Sequence, residues 1–506
     1  MIISLSVLVI TIIVSGTYAL YKAQLSKNIG VNTTTHGLAY YINYVKGTDI
    51  TAATLNPSTS YEGGASSDIE FWKKDDSYDI YGKIDLTVNT IGTNLSNSPA
   101  LKYAVVNNGN VLKEGSLKGT TSGSKVTILK NLYLEQTKQI YTVYVWLDNS
   151  EELGNISNES LSISVDCTAS LQKEPAADTI ISLYTSAAKV TATNNSITYN
   201  TAPSVSLMND RLGGTTTDLD GGNIRYYGAN PNNYIYFNCS DYSNQTSSTC
   251  ETWRIIGLFD GKLKLIKSES IGAYSWDNKD TSTGAENDTG KNDWTTARLM
   301  KLLNPSNYYK VDSNDNNLGQ SLYYNSASGK CYSGQNNATV DCDFTSTGIK
   351  NAETRNMIAE TTYNLGGWNS NSVYSNQIYE YERGTTVYSG RPTTWKGKIA
   401  LAYPSDYGYA ADLNQCKDKT LYDYDNRTCT SNNWMKAIIT DNGSNHGWLL
   451  TPDSSYSYVA WYSQGNVGEY FTGAARGAVP VLSLSSELGI ESGGDGSSSK
   501  PYKLSA

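Results

Sequence analysis

Histidine is nearly missing from this chain: His36 and His446 are the only two among 506 residues. Ser-His-Asp catalysis and histidine-ligated zinc both need imidazoles brought together with partners, and two isolated ones do not supply them. No HExxH motif occurs and no cysteine pair has CxxC spacing, so the usual zinc signatures are absent. Basic residues are in deficit, with 39 Lys and Arg against 48 Asp and Glu and a net charge of −9. That balance argues against nucleic acid and anionic membrane surfaces as partners. Phenylalanine is scarce as well, 5 residues against 40 tyrosines. Cores use Phe freely, so the skew points to rings that keep one end in water. Strand preference for Tyr in a β-rich protein is the plainer source of the same skew. Tyr with Ser, Gly and Asn is also the palette of adaptable binding surfaces.

What is present points outward from the cytosol. Six of the seven cysteines form three close couples, Cys239 with Cys250, Cys331 with Cys342, and Cys416 with Cys429, each bracketing a polar stretch of loop composition. The economical reading is three local disulfides, which persist only in an oxidising compartment. Each would stabilise its loop by roughly 3 kcal/mol in the chain-entropy model. Cys167 is left over, as a buried thiol or an intermolecular one. Residues Ile2 to Tyr18 are almost wholly apolar or small, and the first charge is Lys22. Residues 1–21 are therefore expected to be a signal peptide or membrane anchor, with Thr17 and Ala19 suiting cleavage after Ala19. Basic residues do not precede the apolar run, and Lys22 and Lys27 alone would place the rest inside the cell. Three cysteine couples outweigh two lysines. No metal or cofactor is expected. Asp312, Asn314 and Asn316 fit the first positions of a calcium loop, but Asn317 stands for the required Gly and Tyr323 for the bidentate Glu. The DLDGG stretch at 218–222 lacks the ligand spacing too.

The length exceeds one core, so a multidomain chain is expected. Residues 35–170 read as seven or so short strands with turns between them, the pattern of an all-β immunoglobulin-like sandwich. Residues 171–221 read as a linker with a short helix over Ala176 to Ala188. Residues 222–506 read as an α+β domain with three local disulfides. Asp293 caps a helix there that Asn304 and Pro305 stop, and a second helix is expected over about Gly348 to Leu365. A late cluster of strands includes HGWLLTP, YVAWYSQGNVGEY and AVPVLSL.

The apolar leader, then TYALYK, then an all-β module resemble the camelysin and matrix-fibre proteins of Gram-positive bacteria. The resemblance implies possible self-assembly through the N-terminal β domain, with the segment after Ala19 as a donor strand. The metallopeptidase activity ascribed to camelysins does not carry over, for want of zinc ligands. In the later region, CETWRIIG, the NDW…LMKLLN helix, RNMI, ERGTTVYSGRPT, YPSDYGYA, GWLLTP and RGAVPVLSL resemble an uncharacterised Gram-positive surface-protein domain. Its order of elements is similar to the C-type-lectin-like fold. That resemblance implies a ligand surface on the late strands. At the matching positions stand Trp448, Tyr456, Tyr458, Trp461, Tyr462, Tyr470 and Arg476, of which Trp448 and Trp461 read as core aromatics. In ERGTTVYSGRPT, Arg383 and Arg391 read as anion or sugar contacts or, preferably, as partners of Glu382 that fix a loop. Asp406 reads as a turn cap without a partner for base catalysis.

The expectation is a secreted or surface-anchored, non-catalytic protein. It would bind an extracellular glycan or protein ligand through residues 222–506 and touch the membrane only through residues 1–21. A structural fibre subunit is the alternative. The sequence identifies no pair of carboxylates for glycosidase work among its 48 acids.

Overall fold

The computed structural model describes residues 23–25, 41–51, 55–156, 159–171, 173–194, 197–212, 222–277, 290–310, 318–332, 339–416, 418–424, 427–439, 446–491 and 494–505. The apolar leader expected over 1–21 lies outside the described residues, and the two calcium-like stretches lie largely outside them. No helix among the described residues is long and apolar enough to cross a membrane. The chain is mostly β with few helices, its sheets are almost wholly antiparallel, and it divides into two compact units.

The first unit runs through Glu174 and takes in residues 489–493 and 505. One of its sheets orders Ala23–Leu25, Leu161–Ser170, Tyr81–Ile91 and Lys125–Tyr133, and the other orders Ile42–Val45, Ala65–Lys73, Ile140–Asp148, Leu101–Asn107 and Asn110–Ser116. Alternation puts Ile84, Leu86, Val88, Ile163, Val165 and Cys167 of the first sheet into one core with Ile69, Phe71, Tyr141, Val143 and Val145 of the second. Each such aliphatic side chain contributes about 1.5–3 kcal/mol when fully buried. Cys167 is an ordinary member of this core. The run YTVYVWL breaks strict alternation because both faces of its strand are covered. Tyr141, Val143, Val145 and Leu147 point into the main core, while Trp146 joins Ala104 and Val106 in a smaller cluster packed by Tyr61 and Tyr144. The Leu161–Ser170 strand has Tyr81–Ile91 on one side. Its other side is met by two short pieces, Ile50–Thr51 at Ser162 and Ile163, and Ala23–Leu25 at Cys167 to Ala169.

The second unit begins at Pro175. Its nine-stranded sheet runs Val190–Asn194, Ile197–Ala202, Leu207–Asn209, Ile224–Tyr226, Glu251–Phe259, Lys262–Lys267, Val481–Ser483 and Ile399–Ala400, with Tyr234–Phe237 beside Glu251–Phe259. The stretch whose composition reads as linker thus contributes the helix Ala176–Ser186 and three strands of this sheet. The helix expected over Gly348 to Leu365 is shorter. It spans Ala352–Met357, opened by Asn351 accepting from the Thr354 amide at 2.8 Å. Beyond it, the β-branched Thr361 and Thr362 and the aromatic Tyr363 form a strand, Thr361–Asn364, against Thr394–Gly397. Asp293 closes a turn on the Thr295 amide at 3.1 Å, and helix proper starts later, at Arg298–Leu303.

Tyrosine proves to be core material here. Tyr403, Tyr407, Tyr409 and Tyr424 are buried. The Tyr407 hydroxyl donates to Gly465 O at 2.6 Å, Tyr424 to Gly408 O at 3.0 Å and Tyr403 to Asn364 O at 2.9 Å. Backbone carbonyls take the place of water at the Tyr403, Tyr407 and Tyr424 phenols, and the Tyr409 hydroxyl is enclosed without an acceptor, so the expectation of rings with a wet end fails for them.

Two of the three expected disulfides are formed, Cys239–Cys250 and Cys331–Cys342. The third is a correction: Cys416 and Cys429 sit side by side as buried thiols, hydrogen-bonded to one another and not joined. Both belong to the cluster of Tyr407, Tyr424 and Met435, where a thiol packs as a small apolar group.

Candidate functional site: an aromatic face on a five-stranded sheet

Strands Ala273–Ser275, Ala475–Gly477, Gly447–Pro452, Val459–Ser463 and Val467–Phe471 form a five-stranded sheet in the second unit. Tyr462 stands opposite Gly468 and Ala460 opposite Tyr470. The Thr472 amide donates to Tyr458 O at 2.8 Å, which continues the same rows. Successive side chains alternate faces, so Tyr458, Tyr462 and Tyr470 share one face. Trp461, Val467 and Glu469 take the other, where Trp461 and Val467 are core. Trp448 pairs with Tyr462. Its indole N–H donates to Tyr274 O at 2.9 Å, and it is 1% exposed, a supporting wall as the sequence implied.

Gly468 shapes this face. A Cβ there would lie 2.7 Å from Tyr462 Cζ, so the Tyr462 ring lies across the glycine. On the ring sits Arg476, whose guanidinium carbon is 4.0 Å from the Tyr462 centroid, 4.3 Å from that of Tyr470 and 5.5 Å from that of Trp448. Such contacts are attractive and strengthen when desolvated. Arg476 is 8% exposed, and its Nε is enclosed without an acceptor. Burial pulls its pKa down, against the opposing influence of Tyr462 and Tyr470.

A loop beside the face carries Tyr456, 55% exposed, with its ring 6.0 Å from that of Tyr458. Asp453 Oδ1 accepts from the amides of Ser455 at 2.6 Å and Tyr456 at 2.8 Å. Asn292 Nδ2 donates to the carbonyls of Asp453, Tyr456 and Val459 at 2.8, 2.8 and 3.1 Å. Arg391 donates from Nε to Asn292 Oδ1 at 3.0 Å and from Nη2 to Ser457 O at 3.1 Å. Arg391 therefore braces the loop that presents Tyr456. Beneath, on the core side, Asp453 and Glu469 face one another, and Asp453 Oδ2 and Glu469 Oε1 are enclosed with no other hydrogen-bond partner. Two carboxylates cannot donate to each other, so the contact needs a shared proton. Burial, and then the Asp453 charge, push Glu469 up to about 7. Burial raises Asp453 against the two amides. Asp453 is fully closed from solvent, which suits a fastening and leaves no approach for a substrate.

Arg383 lies apart from this group. Its guanidinium stacks 3.4 Å over Tyr379 and donates to Tyr379 O at 3.2 Å and Glu382 Oε2 at 3.3 Å. Glu382 accepts from the Ser405 amide at 2.9 Å and hydroxyl at 2.5 Å, yet burial outweighs these and lifts it to about 7. Asp406 is the hub of a buried ionic network that the sequence did not disclose. It takes Arg225 Nη1 at 3.1 Å, Lys264 Nζ, and the Tyr403 amide at 3.0 Å, while Arg225 Nε reaches Asp210 at 2.6 Å. Burial raises the Asp406 carboxyl, but Lys264 and Arg225 more than reverse this and hold it low. The ring faces of Phe259 and Tyr409 close over Arg225 at 4.6 and 4.7 Å. This is a structural ionic network in which both carboxylates are paired, and only Arg225 Nη2 is left without an acceptor.

The structure thus gathers Trp448, Tyr458, Tyr462, Tyr470 and Arg476, with Tyr456 and its brace Arg391 at the margin, and leaves Arg383 elsewhere. Among the described residues no group of three or more His, Cys, Asp or Glu is placed to hold a metal. No protein-family model matches this chain, and no curated protein matches it.

Proposed function

We propose that this is a secreted or surface-anchored, non-catalytic protein whose second unit binds a glycan or another cell-surface ligand on the aromatic face. The carrying observation is the row itself: Tyr456 at 55% and Tyr470 at 40% exposure, beside half-buried Tyr458 and Tyr462. Exposed large aromatics collected on one sheet face and the loop beside it are uncommon without a partner. Tyrosine rings offer flat apolar area and a polar rim at little entropic cost. The first unit is read as an immunoglobulin-like sandwich and the second as C-type-lectin-like. The two local disulfides support an oxidising location. The test is a glycan array with the full chain and with the Tyr456→Ala/Tyr470→Ala double variant. Binding by the first and its loss in the second, with near-UV circular dichroism unchanged, is expected. Silence of the native chain at high density would overturn the reading.

A second reading, a fibre subunit, draws on the three-residue pairing of Ala23–Leu25 with Cys167 to Ala169. A strand so short is replaceable by the same segment of another chain. Electron microscopy of the mature protein should then show filaments that a deletion of residues 23–25 abolishes.

A further inference from the structure

We infer that the aromatic face is selective for acidic saccharides, with Arg476 as the residue that takes the sugar carboxylate; this rests on the glycan-binding reading above. Among the described residues no carboxylate lies within ion-pair distance of Arg476, whereas the buried cations Lys264, Arg225 and Lys267 of the nine-stranded sheet all have acidic partners. Its Nε is enclosed and unsatisfied. A buried cation without a counter-charge is costly. Rings at 4.0, 4.3 and 5.5 Å offset part of that cost and fix the plane of the fork. What remains unmet is a charge, and a planar bidentate acceptor meets it best. One guanidinium balances one carboxylate, and Arg476 is the cation held on the Tyr462 and Tyr470 rings; a phosphate monoester or sulfated cluster would bring more negative charge than this guanidinium balances. Tyr470, 40% exposed beside the fork, keeps apolar ring surface open to a ligand, so the ligand's acid should sit next to a flat C–H surface. A pyranose acid offers both within one residue. The protein as a whole carries −9, so general electrostatic attraction does not draw in a polyanion, and discrimination must come from this one contact.

The experiment uses the full chain and a matched pair of probes: an oligouronate with free carboxylates, and the same oligosaccharide as its methyl ester. Calorimetry or biolayer interferometry should give at least a 10-fold preference for the free acid, falling to near one in Arg476→Gln. The comparison of probes on native protein needs no variant, so a misfolded Arg476→Gln would leave the question decidable. Equal binding of acid and ester overturns the selectivity while leaving glycan binding intact. Binding of neither probe, with neutral glycans bound on the array, does the same. Tighter binding of poly-glutamate than of the oligouronate assigns the site to acidic peptide and overturns the inference. Absence of any glycan binding sinks both readings.

Discussion

The carboxyl pair under the binding loop should make the protein less stable as the medium turns from acid to neutral. Glu469 has a folded pKa of about 7 against an ordinary 4.5. The folded state therefore holds a proton that the unfolded chain has released across that window. Stability from this pair is complete below about pH 4.5 and is lost as pH rises through about 7. A shift of about 2.5 pH units corresponds to roughly 3 kcal/mol. Glu469 is only half-buried, and water screening brings the expected effect to about 1–2 kcal/mol. Glu469→Gln replaces the shared proton with a permanent N–H donor to Asp453. The variant should match the native protein near pH 4.5 and exceed it by about 1–2 kcal/mol at pH 8. Glu382 titrates in the same window with the same sign, so the difference between the two proteins, rather than either curve alone, isolates the pair. Urea unfolding at half-unit pH steps is the assay. A Glu469→Gln protein that is weaker at pH 8, with the native slope intact, would refute the shared-proton account.

Asp406→Ala strands Arg225 and Lys264 in the interior without their common carboxylate, and should cost about 3–5 kcal/mol by denaturant unfolding. Cys239→Ser opens the loop closed at Cys250 and should lower stability by about 3 kcal/mol under non-reducing conditions, a loss that reductant imposes on the native protein as well. Gly468→Ala pushes a methyl against the Tyr462 ring tip; stability should fall by about 1 kcal/mol or less, because a ring end can move, whereas affinity for a glycan found on the array should drop about 10-fold as Arg476 loses its platform. Thiol labelling of Cys416 should be negligible in the folded protein and complete in urea, since the hydrogen bond to Cys429 and burial raise its pKa.

Local patterns were readable where one cause set them. Val143, Val145 and Leu147 alternate because one face meets a core, and the predicted strand is there. The Cys239 and Cys331 couples are close in sequence and close in space. The row Tyr458, Tyr462, Tyr470 was reached by likeness of layout, and the register of two adjacent strands then put it on one face. Long-range pairings were not readable. Nothing near Glu469 in the sequence announces Asp453, because the contact depends on how a loop folds onto a strand. Arg225, Lys264 and Asp406 are separated by up to 181 residues, and their meeting is a product of the whole sheet. Thr361, Thr362 and Tyr363 were drawn into a helical pattern by the apolar spacing around them, and their own strand preference won once Trp395 and its neighbours supplied a partner strand. Cys416 and Cys429 show the limit of proximity as a guide: nearness in sequence brought the sulfurs together without joining them.

The phenols tied to carbonyls inside the second unit have an optical consequence. Burial raises the ionisation of Tyr403, Tyr407 and Tyr424 above the ordinary range for phenols. In strong alkali these rings stay un-ionised while their surface counterparts turn to ultraviolet-absorbing phenolate, and they follow only once the interior opens. The chain therefore carries a built-in gauge of its own unfolding, readable with nothing more than an ultraviolet lamp and base.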